Sequence, residues 1–352
     1  MTAPSLNSVL SAGLLGQELL PAQWQFLETW ELADANRAQA WGINRQNVLE
    51  RLQTRLAWLQ RVAPLHASMP LPEQSIEDYL LMYWELWLPL ALQLKRHRDT
   101  YSRSFIQGIL GGQGTGKTTL TRILQILLGA MGYRTVGLSI DDLYKTYEER
   151  CRLRQSDPRL KWRGPPGTHD VDLGIQTLDL IRTATLETEI YLPKFDKSLH
   201  GGEGDRTEPE RVQGIDIVLF EGWFLGTRPV PESAFGQAPS PIDTEDDKAF
   251  ARSINQRLQD YLPLWDRLDS LLVLYPDDYR ISKEWRLQAE HQMKAQGKTG
   301  MSDQTIHEFV EYFWRALHPE LFITPLKHNG NYVDLVIEIN LDRTPHAIYS
   351  PT

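Results

Sequence analysis

The chain has 352 residues, and its 37 lysines and arginines against 46 aspartates and glutamates give a formal net charge of −9 at pH 7. This acidic balance argues against a nucleic-acid-binding protein, which would need a broad basic face. The single cysteine, Cys151, excludes a disulfide framework and a cysteine-rich metal site, so we expect a cytoplasmic protein.

The N-terminal part of the chain predicts helices. No basic residue precedes the short apolar run near the start, so we expect no signal peptide. The apolar run 86–94 contains Pro89 and is too short to cross a bilayer, so we expect no membrane partner. Further helical spacing is seen at Val48, Leu49, Leu52, Leu56, Leu59 and Val62. Ser75 is a candidate cap for a following helix, and we expect a helical extension over residues 1–103.

From residue 104 onward, short apolar runs alternate with helical segments. These runs are candidate strands at residues 105–110, 135–140, 214–220, 270–276 and 333–339. Continuous apolar runs of this length are typical of parallel strands whose two faces are both covered by helices. The proline-rich, acidic segment 226–247 predicts an exposed loop, and residues 248–262 predict a further helix.

The stretch 111–118, GGQGTGKT, matches the phosphate-loop pattern G-x-x-x-x-G-K-[ST] in full. It precedes a helix whose apolar face consists of Leu120, Ile123, Leu124, Leu127, Leu128 and Met131. Glycines let successive N–H groups point at one phosphate, and the helix N-terminus adds positive potential. We therefore expect ATP to bind Gly111, Gly112, Gln113, Gly114, Thr115, Gly116, Lys117, Thr118 and Thr119. The fold expected for residues 104–352 is an α/β P-loop NTPase with three layers and a mostly parallel central sheet.

Acidic residues follow two candidate strands, at the edge where ligands of a parallel sheet gather. Asp141 and Asp142 follow the second strand, and Glu221 ends the third. Asp141 suits a general base or a magnesium ligand, whereas Asp142 suits a helix cap. Glu221 has the Walker B pattern. We expect Thr118, Asp141 and Glu221 to hold Mg²⁺, and Lys117 to contact the β- and γ-phosphates.

Two loops combine charged residues with glycine or proline. The stretch 163–170, RGPPGTHD, is stiffened by its two prolines. The stretch 191–206 contains glycines and Phe195, and we interpret it as a shaped loop for an anionic acceptor. Its charged residues include Lys194, Asp196, Lys197, His200 and Arg206. A solvated charged surface is the alternative interpretation of this second stretch.

The segment 279–300, which follows the fourth candidate strand, predicts a lid. Arg280, Lys283 and Arg286 recur at helical spacing and so lie on one face. Cations that close over a phosphoryl group stabilise its spread negative charge in the transition state. A surface helix with ion pairs would show the same spacing.

Taken together, the phosphate loop, SIDD at 139–142, LFEGW at 219–223 and the basic lid resemble the phosphoribulokinase and uridine kinase group of P-loop kinases. Within that group the chain is most similar to the plant and cyanobacterial type of D-glycerate 3-kinase. The stretches that carry this resemblance are RGPPGTHD, LPKFDKSLHGGEGDR, EWRLQAE and GKTGMSDQTIHEFVEYF. It covers residues 104–340.

The resemblance implies transfer of the ATP γ-phosphoryl group to the 3-hydroxyl of D-glycerate, in photorespiratory glycerate salvage. It implies Asp141 as base, with Lys117 and Arg286 as the other catalytic residues. It further implies that Arg163 and His169 grip the glycerate carboxylate. The remaining residues that it implies around the acceptor are Asp170, Lys194, Asp196, Lys197 and Arg206.

Two alternatives stay open on the sequence. One is a related kinase for a nucleoside or a sugar phosphate, since a nucleoside would need an aromatic slot rather than a compact cationic pocket. The other is a non-catalytic ATP-binding regulator or an assembly ATPase, although the complete set of Lys117, Thr118, Asp141 and Glu221 argues against it. The sequence does not indicate an oligomeric state.

Overall fold

The N-terminal part of the chain is helical, as its apolar spacing predicts. The computed structural model describes residues 5–72, 74–295 and 302–352. The helices of this part are α1 (Leu6–Leu14), α2 (Pro21–Ala33), α3 (Ala35–Ala40), α4 (Val48–Val62), α5 (Leu80–Met82) and α6 (Leu88–Thr100). Leu49 does not belong to the buried face that the apolar spacing suggested, because it is 41% exposed whereas Val48 and Leu52 are buried. Helices in the described part of the chain are all too short or too polar to cross a membrane.

An ion pair lies inside these helices. Arg55 on α4 donates two hydrogen bonds to the Glu31 carboxylate of α2, at 2.8 and 3.0 Å. The two side chains are only 3% and 0% exposed. The guanidinium also donates to the Trp84 carbonyl at 3.1 Å and lies over that residue's ring. The charge of Arg55 is therefore paired with the Glu31 carboxylate out of contact with water.

A six-stranded sheet forms the centre of the described structure, in the order β2-β5-β1-β6-β7-β8. Its strands are β1 (Phe105–Gly111), β2 (Thr135–Ser139), β5 (Ile217–Gly222), β6 (Ser270–Pro276), β7 (Leu335–Ile339) and β8 (Pro345–Tyr349). All neighbours pair in parallel except β8, which runs antiparallel to β7. The predicted sheet is confirmed, with β8 as an unpredicted edge strand. The third predicted strand starts later than expected, because Asp216 binds Arg98 and the Arg134 amide.

Helices cover both faces of this sheet. After β1 the chain forms α7 (Lys117–Ala130), α8 (Tyr147–Ser156), α9 (Val171–Thr183), the single turn α10 (Leu199–Gly202), α11 (Glu245–Arg257), α12 (Leu262–Trp265), α13 (Ile281–Ala295), α14 (Asp303–Ala316) and α15 (Pro319–Lys327). The predicted apolar face of α7 is buried from Leu120 to Leu128, while Met131 is partly buried. The helix predicted at 248–262 is α11, which begins at Glu245 and is followed by a 3-10 turn.

The segment 226–247, predicted as an exposed loop, is a second correction. Phe235 and Ile242 within it are 0% and 1% exposed. Phe235 lies in a 3-10 turn, Glu232–Gln237, and its ring is 6.4 Å from that of Phe322 on α15. The prolines suggested a solvated loop, but the apolar residues between them pack onto the sheet layer.

The charged stretch 191–206 is a third correction, because half of it is strand rather than loop. It lies in an antiparallel hairpin of β3 (Glu189–Asp196) and β4 (Asp205–Gln213). The connection between the strands contains α10, and Gly202 and Gly204 there have φ of 98° and 73°. The glycines therefore allow a tight reversal that carries Lys197 and His200.

The helical extension and the part of the chain from residue 104 onward share one buried apolar cluster. It joins Trp84 and Leu94 of the extension to Leu124 of α7 and Ile109 of β1, on one face of the sheet. A second cluster covers the other face and includes Val218 of β5. The predicted boundary at residue 103 lies just before β1, yet the extension supplies a helical layer of the same core.

Replacing Glu31 with glutamine tests the buried ion pair. The free energy of unfolding should fall by about 3–5 kcal/mol, because the Arg55 cation stays buried without its charged partner. Urea unfolding followed by circular dichroism measures this change. The double variant Glu31→Leu/Arg55→Met removes both charges and should recover most of the loss. A Glu31→Gln variant as stable as the parent would contradict this account.

Candidate active site

The phosphate loop lies between the end of β1 and the start of α7. Gly114 and Gly116 have φ of 81° and 87°, the left-handed region that favours glycine. A Cβ at Gly114 would lie 2.5 Å from the Cβ of Trp285 on α13, so the loop backbone packs directly against this buried tryptophan. The Trp285 indole is fixed in turn, because its Nε1 donates to the Leu341 carbonyl at 2.8 Å. Trp285, which lies outside the phosphate loop, therefore fixes the shape of that loop.

A hydroxyl, a carboxylate and an ammonium group meet beside this loop. Thr118 Oγ1 donates to Glu221 Oε1 at 3.0 Å, and Lys117 Nζ lies 3.8 Å from Glu221 Oε2. Lys117 also donates to the Gly112 carbonyl at 3.3 Å. Glu221 is 7% exposed, and its Oε2 accepts no hydrogen bond from the described residues. A buried carboxylate oxygen beside a threonine hydroxyl fits Mg²⁺, which binds few protein oxygens together with phosphates.

Asp141 follows β2, and both of its carboxylate oxygens are hydrogen-bonded. Lys197 Nζ donates to Oδ2 at 2.5 Å, and the Tyr144 hydroxyl donates to Oδ1 at 2.8 Å. Burial raises the pKa of Asp141, but the Lys197 charge and these hydrogen bonds outweigh it, so the pKa lies below its usual value. Asp141 is therefore ionised at neutral pH. The neighbouring Asp142 accepts from the Ser139 amide at 3.0 Å, which confirms its interpretation as a cap.

His169 of the RGPPGTHD stretch is buried beneath Asp141. It is 2% exposed, its ring stacks on Tyr144 at 4.6 Å, and its Nδ1 lies 2.8 Å from the Tyr261 hydroxyl. Burial lowers the pKa of His169 to about 3, so the ring is neutral at physiological pH. A direct ionic grip on a carboxylate stays a prediction, and this geometry does not favour it.

Arg163 connects the same stretch to the hairpin. Its Nη1 donates to the carbonyls of Gly202 and Glu203 at 2.7 and 2.9 Å. Arg150, which the sequence did not single out, is 5% exposed and donates to the Glu203 and Gly204 carbonyls at 2.7 and 2.6 Å. The two guanidinium groups therefore fix the turn that carries Lys197.

The remaining predicted acceptor residues are bound mainly to protein. Asp170 caps α9 through the Leu173 amide at 3.0 Å and pairs with Arg206 at 2.8 Å. Lys194 pairs with Glu210 at 2.9 Å across the hairpin. Asp196 accepts from Ser198 at 2.8 and 2.6 Å, while His200 stacks on Tyr147 and pairs with Asp205. Of the predicted acceptor residues, Lys197 makes the direct contact with Asp141.

The described lid helix α13 does not place its cations on the phosphate loop. Arg286 pairs with Glu290 at 3.0 Å and lies over the Phe309 ring. Lys283 pairs with Glu311 at 2.9 Å, and Arg280 pairs with Asp278 at 3.2 Å. Residues 296–300 of the predicted lid lie outside the described residues. In the described part, the ion-pair interpretation fits the contacts, and a role of Arg286 over the phosphates stays a prediction.

Arg343, which the sequence analysis missed, contacts the phosphate loop directly. It lies between β7 and β8 with φ of 67°, and its Nε donates to the Gly114 carbonyl at 2.7 Å. Its guanidinium lies over the Trp285 ring, and burial lowers its pKa. Arg343 follows the parallel strand β7 at the edge of the sheet where ligands gather. This position in the chain is the sequence feature that could have identified it.

Two cavities flank the loop. One, of about 590 Å³ including open solvent, is apolar and is lined by Gly112, Tyr279 and Trp314 among others. The other, of about 870 Å³ on the same measure, is polar and lies along β2 between Thr118 and Lys194. Asp141 and Lys197 line neither of them. The aromatic cavity is therefore separate from the charged cluster at Asp141.

Comparison with known proteins identifies similar kinases, although no family model matches the chain. The chain is 31% identical over 253 residues to the chloroplastic D-glycerate 3-kinase of Arabidopsis thaliana, which covers 68% of this chain and 53% of that protein. It therefore spans about half the length of that curated relative. It is 34% identical over 218 residues to a probable ATP-dependent kinase of Saccharomyces cerevisiae, covering 58% of this chain and 73% of that protein.

A solved structure agrees with these relatives. The D-glycerate 3-kinase from Cryptococcus neoformans has a TM-score of 0.66 and 32% identity to this chain. The match covers 74% of this chain and 96% of that one. The fold predicted from the phosphate loop is thus confirmed, since the chain is similar to kinases over most of that structure.

Replacing Arg343 with alanine tests its contact with the nucleotide loop. The KM for ATP should rise about tenfold or more, the scale of losing one hydrogen bond from a charged group. The KM for the acceptor should stay within about twofold, since no residue at Asp141 is touched. Steady-state kinetics with varied ATP measure both values. The control is Arg152→Ala, whose side chain is 69% exposed and pairs only along α8. An unchanged KM for ATP would show that Arg343 contacts the loop without affecting nucleotide binding.

Proposed function

We propose that this chain, which belongs to the P-loop kinase family that contains the D-glycerate 3-kinases, transfers the γ-phosphoryl group of ATP to the 3-hydroxyl of D-glycerate. The products are 3-phosphoglycerate and ADP. The observation that carries this proposal is the ionised Asp141 carboxylate, which accepts a hydrogen bond from Lys197. Asp141 lies two residues beyond Ser139, the β2 residue that pairs with Glu221. A base, an acid-binding cation and the nucleotide loop thus meet at one sheet edge.

The phosphate loop would bind the triphosphate through its backbone. The N–H groups of 112–118 and the N-terminus of α7 supply positive potential that needs no counter-ion from solvent. Lys117 would exchange its present contacts with Gly112 and Glu221 for the β- and γ-phosphates. Thr118 and Glu221 would hold Mg²⁺, with Asp141 as the third predicted ligand, and the ion would supply neutralisation of the charge on the phosphate oxygens.

The proposed reaction transfers one phosphoryl group to the acceptor and one proton to the enzyme. The 3-hydroxyl oxygen forms a bond to the γ-phosphorus while the bond to the β,γ-bridging oxygen breaks. ADP leaves with that electron pair, and the hydroxyl proton passes to the Asp141 carboxylate. Because phosphoryl transition states are loose, positioning contributes more than base strength, which suits a carboxylate whose pKa is lowered.

The charge near Asp141 favours a small acid over a nucleoside. Lys197 is 58% exposed and is free to turn from Asp141 to a substrate carboxylate. Arg163 lies in the same region and interacts with the Tyr144 and Phe195 rings. The aromatic cavity, which would suit a nucleoside, shares neither residue. We retain the prediction that Arg163, Asp170, Lys194, Asp196 and Arg206 shape this acceptor region.

The pathway follows from the resemblance alone, whereas the location follows from the cysteine usage of the chain. We propose photorespiratory glycerate salvage as the pathway and the cytoplasm as the location. The plant relative is chloroplastic by name.

An acceptor panel tests the function. Purified protein with Mg-ATP is assayed for ADP release with D-glycerate, L-glycerate, uridine, ribulose 5-phosphate and no acceptor. D-glycerate alone should give strong release, and the product should be 3-phosphoglycerate by NMR. Release with uridine or the sugar phosphate would indicate the related-kinase alternative, and acceptor-independent release would indicate an ATPase.

Replacing Asp141 with asparagine tests the base. The kcat should fall by about a hundredfold or more, because the 3-hydroxyl loses its proton acceptor. ATP binding, measured by fluorescence titration with a nucleotide analogue, should stay near the parent value. The matched control is Asp142→Asn, which keeps an acceptor for the Ser139 amide. Nearly full activity in the Asp141 variant would assign this residue a structural role.

A further inference from the structure

We propose that a buried chain of three rings, Tyr261, His169 and Tyr144, holds the carboxylate of the proposed base in its working orientation. This inference rests on the proposed function. It assigns the histidine of RGPPGTHD to positioning instead of substrate contact, and it adds a tyrosine from a distant turn to the catalytic apparatus.

The first link is the hydrogen bond from Tyr144 to Asp141 Oδ1 at 2.8 Å. Tyr144 is 4% exposed, and its ring packs edge-on against Phe195 at 5.0 Å. Its backbone pairs with that of His169 in an isolated antiparallel bridge. The hydroxyl therefore has little freedom to leave the carboxylate, and any displacement of the ring would move the bond to Asp141.

The second link is the stack of His169 on Tyr144. The ring centroids are 4.6 Å apart and the planes differ by 20°, so the imidazole packs face to face against the phenol ring and supports it. His169 is 2% exposed, whereas the Asp141 side chain is 28% exposed. A substrate can thus approach the carboxylate while the imidazole stays covered.

The third link fixes the imidazole itself. The Tyr261 oxygen accepts a hydrogen bond from the Gly167 amide at 2.9 Å and lies 2.8 Å from His169 Nδ1. If the phenol proton points at Nδ1, the imidazole proton is on Nε2, which is buried and has no hydrogen-bond partner among the described residues. The two residues are 92 positions apart, with Tyr261 in the turn Leu258–Tyr261 after α11. Tyr261 is itself 0% exposed.

The electrostatic environment of His169 agrees with a neutral imidazole stacked on Tyr144. Charged groups that act on His169 are Asp141, which favours the imidazolium, and Lys145 and Arg150, which oppose it. Burial is the largest influence and lowers the pKa of His169 to about 3. An uncharged ring can stack beneath Tyr144 without competing with Lys197 for the Asp141 carboxylate.

A double-mutant cycle on kcat tests the chain of rings. Tyr144→Phe should lower kcat about tenfold, and Tyr261→Phe about three- to tenfold, while both KM values stay within about twofold. The double variant should equal Tyr144→Phe alone, because Tyr261 acts on Asp141 only through that ring. Additive losses, or losses confined to KM, would overturn the proposal. His169→Phe keeps the stack without the hydrogen bond and should match Tyr261→Phe.

The matched control is Tyr312→Phe. This tyrosine is also buried, and its hydroxyl donates to the Arg159 and Trp162 carbonyls at 3.1 and 3.4 Å. It should lower the melting temperature as Tyr261→Phe does, yet leave kcat unchanged. An equal loss of kcat in this control would show that general destabilisation explains the effect. A parent enzyme without glycerate-dependent turnover would instead overturn the proposed function, so the two failures are distinguishable.

Discussion

The parallel pairing of β1 with β5 on one side and β6 on the other is the constraint on which the site depends. It aligns the carboxyl ends of the strands, so the phosphate loop leaves the sheet beside Glu221, which pairs with Ile109. Pairing of β2 with β5 then sets Ser139 beside Glu221 and brings Asp141 to the same edge. The reacting groups converge because a one-residue shift in register would exchange the side chains that pack on the two covered faces of the sheet.

The loop that would hold the nucleotide is supported from outside the kinase motifs. Trp285 packs on Gly114 and belongs to the same buried cluster as Trp84 of the helical extension. Arg343 holds the Gly114 carbonyl from the β7–β8 connection. The shape of the cradle therefore depends on packing that extends through the layer formed by the N-terminal helices.

Charge is arranged differently in the two halves of the site. Around the loop, a single buried carboxylate, Glu221, faces Lys117. Around Asp141, an exposed lysine lies on one side of the carboxylate and neutral buried rings lie on the other. Arg150 and Arg163 bind backbone carbonyls of the hairpin turn, so they add positive potential without pairing to Asp141. Such an arrangement leaves Lys197 as the group that a small anion can recruit.

The sequence by itself determined the five parallel strands of the sheet, the phosphate loop and the acidic residues at strand ends, because periodicity and short motifs are local properties of the chain. Only the tertiary structure decided the roles of Tyr261, Arg343 and Trp285, whose contacts join segments 56 to 229 residues apart. It also showed Phe235 buried where prolines suggested solvent. Burial and long-range hydrogen bonds are set by which segments pack together, and no local pattern records that choice.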